Sequence, residues 1–144
     1  MRKITLVVVV IFLFVGAVLA GEYQKESAAF EKAFAAGDYA KAVTLAKTGV
    51  GKGNALNMQG YTLYLAGNFK AAKAIYLQAI AADSKQYWAH NSLGAILLSE
   101  GDCAGAIREF ELSGAASMNA PDDGAEARVT KAQQNIETAK RYCE

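Results

Sequence analysis

The chain has one histidine, two cysteines, one tryptophan and one proline among its 144 residues. A structural zinc site takes four cysteine or histidine ligands, and no such spacing is present. No haem motif is present either. Around His90 no serine or cysteine nucleophile with an orienting acid can be placed, so a hydrolase triad is not expected. Asp122 and Asp123 are adjacent, point in different directions and suit a helix start better than catalysis. Glu109 and Glu111, two apart on a helix, do not face each other and read as a solvated face. Charge of one sign is also lacking. Formal net charge is +1, which gives no electrostatic case for nucleic acid. The stretch Gly49-Val50-Gly51-Lys52-Gly53-Asn54 looks superficially like a phosphate loop. It lacks the full glycine spacing and a hydroxyl residue after the lysine, and it follows a helical pattern instead of a strand. It reads as a flexible turn. The expectation is no enzyme, no metal and no cofactor.

Long apolar runs are absent after the first 20 residues. Within those, Arg2 and Lys3 precede a run from Ile4 to Ala20, and Val18-Leu19-Ala20 places small residues at the minus-three and minus-one positions. The pattern is that of a secretory signal peptide, residues 1–20, cleaved after Ala20. The alternative is an inner-membrane anchor formed by residues 4–20, a run at the short end for spanning. Removing the segment also removes Arg2 and Lys3, which takes the net charge to −1. A periplasmic or otherwise exported product is expected, touching membrane only if the segment is retained.

What is present is a repeat. From Gly53 to Ala120 the same pattern occurs twice, 34 residues apart. Gly60 falls on Gly94, Leu63 on Leu97, Gly67 on Gly101, Ala72 on Ala106, Tyr76 on Phe110 and Ala79 on Ser113. Each copy has two apolar stripes at helical spacing, parted by Gly67-Asn68 or Gly101-Asp102. The glycine ends one helix, and the residue after it can cap the next. Small residues at 60, 94, 72 and 106 let two helices approach, and Tyr76 and Phe110 fill the space beside them. One hairpin cannot bury both stripes, so the copies should stack.

With Leu56, Gly60, Leu63, Gly67, Ala72, Tyr76 and Ala79 in one copy and His90, Gly94, Leu97, Gly101, Ala106, Phe110 and Ser113 in the next, the chain resembles the tetratricopeptide repeat (TPR) family. His90 stands where that family usually has tryptophan, and it reads as a packing or hydrogen-bonded substitute. The resemblance implies an all-α fold: an alpha-alpha superhelix, or solenoid, of about three TPR helical hairpins plus a C-terminal capping helix. A degenerate hairpin covers about 22–50, its turn Gly37-Asp38 lying 30 residues before Gly67. Repeats at 53–86 and 87–120 follow, then a capping helix at about 122–142 started by Asn119-Ala120-Pro121-Asp122-Asp123. That helix has acidic residues at its start, Lys140-Arg141 at its end and a thin apolar face, as the end of a stack requires.

The same resemblance implies a groove lined by the first helix of each hairpin, holding a protein or peptide partner. Projecting the pattern gives Asn57, Tyr61 and Tyr64, then Trp88, Asn91 and Leu98, with Ser27, Glu31 and Phe34 from the first hairpin. Asparagine amides can bond a ligand's main chain, and tyrosine and tryptophan supply apolar area with a polar handle. Helices 54–66 and 87–99 carry no lysine or arginine, so an apolar or aromatic segment fits better than a terminal carboxylate. The expected function is an exported interaction scaffold in envelope complex assembly. The alternatives are a self-associating structural protein, hence a homo-oligomer, and a non-catalytic accessory subunit of an envelope enzyme.

Cys103 and Cys143 both lie in the exported part, one at the start of a helix and the other at the end of the last. If those helices are antiparallel neighbours, the ends meet and a disulfide closes a loop of about 40 residues, contributing roughly 3–4 kcal/mol on the loop-entropy account. Otherwise the two are independent small hydrophobes.

Overall fold

The computed structural model describes residues 28–46, 49–120 and 122–144. The proposed signal segment lies outside them. The described residues form seven helices and no strand. They fall into two compact units, divided after Ala46.

The described part of the first unit is a helical hairpin. Helix α1 covers described residues 28–35, and α2 is Tyr39–Leu45. Phe34 sits between Phe30 and Tyr39, with ring centroids 5.6 and 5.4 Å apart. Ala33 and Ala42 are buried.

The second unit holds α3 (Gly49–Leu65), α4 (Phe69–Ala82), α5 (Tyr87–Ser99), α6 (Cys103–Met118) and α7 (Ala125–Cys143). Each helix packs on the next, in sequential hairpins.

Three turns share one construction. Gly37, Gly67 and Gly101 have φ of 76°, 76° and 82°, a region that side chains disfavour. Each glycine N–H donates three residues back, to the carbonyls of Phe34, Tyr64 and Leu98. The next N–H donates five back, to Ala33, Leu63 and Leu97. This is the Schellman pattern that satisfies the last carbonyls of a helix. Asp38, Asn68 and Asp102 then cap the following helix by accepting from the N–H of Lys41, Ala71 and Gly105. One Gly-Asp or Gly-Asn dipeptide thus closes one helix and opens the next.

Packing inside each hairpin follows from the glycine opposite the ring. A Cβ built on Gly60 would lie 2.8 Å from the Tyr76 ring, and one on Gly94 2.7 Å from the Phe110 ring. Both rings are buried, with Ala72 and Ala79 beside the first and Ala106 beside the second. Tyr76 carries one atom too many for this slot. Its hydroxyl is buried without a hydrogen-bond partner among the described residues. Burial pushes the Tyr76 phenol above its usual range, which the Ser92 side chain partly offsets. Phenylalanine already fills the equivalent position, 110. We expect Tyr76→Phe to leave stability unchanged or raise it by up to about 2 kcal/mol, the order of an unpaired buried polar group. Urea denaturation checks this, and a clear loss would show that the hydroxyl is satisfied in solution.

The glycine cluster 49–54 departs from the sequence reading. It is no flexible turn: α3 starts at Gly49, five residues earlier than the expected Asn54. A Cβ on Gly49 would stand 2.7 Å from the Ala82 carbonyl oxygen, and one on Gly53 3.0 Å from Asp83 and Gln86. These glycines let the first turns of α3 cross the end of α4 at backbone distance, and Gln86 Nε2 donates to Asn54 Oδ1 there at 2.5 Å. Gly114 has the same use. It neither frays nor ends α6, and faces the Cβ of Ala132 on α7.

The disulfide is formed. Cys103, the first residue of α6, is bonded to Cys143, the last of α7, with Cα atoms 6.2 Å apart.

Candidate functional site

Helices α3, α5, α6 and α7 bring their side chains to two cavities that meet at Trp88. The first, about 360 Å³, is lined by Asn57, Met58, Tyr61, Trp88, Asn91 and Ser92. The second, about 130 Å³, lies between α5 and α7 and is lined by Tyr87, Trp88, Asn91, Ser113, Ala127, Arg128 and Lys131. Trp88 and Asn91 belong to both.

Of the six projected residues, the structure brings four together. Tyr61 and Trp88 are 46% and 49% exposed, which is high for aromatic rings. Asn91 is half-buried, and its Oδ1 accepts from Asn135 Nδ2 of α7 at 2.7 Å. Asn57 is buried at 9% but still on the cavity wall. The other two lie elsewhere. Tyr64 packs edge-on against Phe69, centroids 5.2 Å apart, beside the α3–α4 turn. Leu98 packs against the core of Ala106, Phe110 and Ala139. In the first unit, Glu31 is exposed and Phe34 half-buried, and Ser27 lies outside the described residues.

The projection missed Met58, Ser92, Arg128 and Lys131. Met58 and Ser92 were within reach, because they follow the two asparagines by one residue and share their 34-residue spacing. Arg128 and Lys131 follow no repeat register, since α7 belongs to neither copy.

The wall from α3 and α5 carries no charge. Two cations come from α7, and they differ. Arg128 is held: its guanidinium makes a two-pronged pair with Asp122, Nη1 to Oδ1 at 2.8 Å and Nη2 to Oδ2 at 2.9 Å, and lies 4.2 Å above the Tyr87 ring centroid. Hydrogen bonding to Arg128 holds the Asp122 carboxyl below the usual carboxylate range, and the same bond raises Arg128. Asp122 is therefore a clasp on Arg128, and it accepts from the Gly124 N–H as well. The cap position of α7 itself is Gly124, with no side-chain cap bond. Lys131 is exposed.

Beneath the site, His90 and Glu109 form a buried pair. His90 Nδ1 lies 2.7 Å from Glu109 Oε2, and Nε2 donates to the Ser84 carbonyl at 3.1 Å. The pair ties α5 to α6 and to the connection before α5. Glu109 is thus no part of a solvated face: at 8% exposure it is turned inward by its histidine partner. Ser113 Oγ donates to the Tyr87 carbonyl at 2.8 Å, steadying the start of α5 under Trp88.

No known protein family, characterised protein or solved structure matches the chain. Among the described residues no group of three or more histidine, cysteine, aspartate or glutamate side chains could hold a metal ion. Among them, too, no helix is long and apolar enough to cross a membrane.

Proposed function

We propose that this chain is an exported, non-enzymatic scaffold of the tetratricopeptide type. It binds an extended, largely apolar segment of another protein across α3, α5 and α7. The observation that carries the reading is the placement of Trp88. This ring is half exposed where two cavities join, on the uncharged α3–α5 wall with its amide side chains, and Arg128 and Lys131 of α7 stand across the second cavity. Partly exposed aromatics over preformed clefts are the usual anchors of protein recognition. Asn57 and Asn91 keep the 34-residue spacing and stand on the same wall, suited to bonding a ligand's main chain. The signal-like first 20 residues support an envelope setting, and envelope complex assembly is the process we assign to it.

Tyr61→Ala with Trp88→Ala is expected to cost about 2 kcal/mol of stability, since each ring is about half buried, while keeping the fold, and to abolish partner capture. A photo-crosslinking residue at 61 or 88, with one at Gln78 on α4 as control, is the test in the native host. One foreign protein enriched at 61 and 88 alone supports the scaffold. Crosslinks to the chain itself would instead establish the self-associating structural protein, and equal adducts at all three positions would remove the groove reading.

A further inference from the structure

We propose that the Cys103–Cys143 disulfide is a redox-operated latch on α7. Reduction releases the C-terminal half of that helix and uncovers the apolar face of α5 and α6 beneath it.

The two ends of α7 are held by different means. Its start is fixed by the Asp122–Arg128 pair stacked on Tyr87. Its far end is fixed by the disulfide, which joins the last residue of α7 to the first of α6. Between them the apolar contact is thin. Ala132 and Ala139 are the buried residues of the helix, and Ile136 is half-buried. Glu137, Lys140, Arg141 and Tyr142 are exposed. Small side chains, Gly114 opposite Ala132 among them, let α7 lie close on α6, but two alanines and one isoleucine bury little apolar side-chain surface for a helix of 19 residues. Only residues 132–143 are free in the released state, and tying their end to α6 shifts the docking equilibrium by about 100-fold on the loop-entropy account. The covalent tie is therefore the main hold on this end.

The bond is placed to be reached. Cys143 is exposed and Cys103 partly so. A dithiol reductant supplies the electrons. One of its thiolates attacks a cysteine sulfur and forms a mixed disulfide, while the other cysteine leaves as a thiolate and takes a proton. The second thiol of the reductant then closes its own disulfide. The protein disulfide gains two electrons and two protons, and the dithiol loses the same.

Release changes a defined surface. Ala139 leaves the core cluster it forms with Ala106 and Phe110, and Ile136, packed against that cluster, lifts with it. Asn135 leaves Asn91, whose side-chain oxygen then faces the cavity beside Trp88 unpaired. The latch stands on helix contacts alone, and only its consequence for binding rests on the groove reading.

Hydrogen exchange by residue, on the full chain before and after treatment with dithiothreitol, is the test. Amides of residues 132–143 are expected to exchange about 100-fold faster after reduction. Amides of α3 to α6 keep their protection, and reoxidation restores α7. Cys103→Ser with Cys143→Ser should reproduce the reduced pattern, and reduction of the wild-type chain gives the answer even if that variant folds poorly. Unchanged protection of α7 would overturn the latch, because packing would then suffice. Loss of protection across α3 to α6 in the same step would overturn it too, because the bond would then be a staple for the whole unit.

Discussion

Phe110→Ala will lower the unfolding free energy by about 3–5 kcal/mol, the usual result of emptying a buried phenylalanine site. The ring is 2% exposed and fills the space between α5 and α6, with Ala106, Ala139 and Leu97 around it. What makes the site distinctive is the glycine facing it. Gly94→Ala alone faces two opposed effects. Helix propensity favours alanine by about 1 kcal/mol. Against this, the new methyl would stand 2.7 Å from a ring that has nowhere to go, and overpacking of this kind costs about 1–3 kcal/mol. The clash wins, and Gly94→Ala destabilises. In the Phe110→Ala background the ring is gone, the clash is gone, and the propensity gain remains. Gly94→Ala then stabilises by about 1 kcal/mol. A double-mutant cycle by urea denaturation should show coupling on the order of 2 kcal/mol between the two positions. Additive losses would mean that α5 and α6 shift apart freely, and the account of the hairpin by close approach would fail.

Glu109→Ala will cost about 2–3 kcal/mol, as expected when a buried hydrogen bond is lost and the other partner is left unpaired. His90 is buried on α5, and without Glu109 its Nδ1 loses its partner across the hairpin. Glu109→Gln should cost only about 1 kcal/mol. The amide can donate to Nδ1 while Nε2 still donates to the Ser84 carbonyl, so every polar atom of the ring stays bonded. Equal losses in the two variants, measured by urea denaturation at neutral pH, would show that ionisation of the pair holds the hairpin, not its hydrogen bonding. The pair also has a bearing on the site. It fixes α5 from below, and α5 carries Trp88 and Asn91 into both cavities.

Much of the architecture was legible in the residues themselves, for a local reason. A Gly-Asn or Gly-Asp dipeptide encodes a left-handed backbone and a cap in adjacent positions, so Gly67-Asn68 and Gly101-Asp102 mark the hairpin turns without reference to the rest of the chain. The 34-residue register then paired Gly60 with Gly94 and Tyr76 with Phe110, and each glycine does lie under a ring. The disulfide followed from the same helix order, because antiparallel α6 and α7 bring residue 103 to residue 143. Projection of the first-helix pattern gave Asn57, Tyr61, Trp88 and Asn91, of which Asn57 and Asn91 keep the 34-residue spacing, and the four line one cavity.

Tertiary structure decided what local chemistry leaves ambiguous. Glycines at 49 and 53 read as a turn because glycine disfavours helices, and only the approach of Ala82, Asp83 and Gln86 turns that weakness into close packing. Glu109 reads as a surface charge until His90 arrives from another helix. Leu98 is equally suited to a groove or a core, and the presence of α7 sends it to the core. Arg128 and Lys131 lie outside the repeat, and their place beside Trp88 depends on how α7 docks. Periodicity specifies which face of a helix is apolar. Which neighbour covers that face depends on contacts between residues far apart in the chain, and no local pattern carries them.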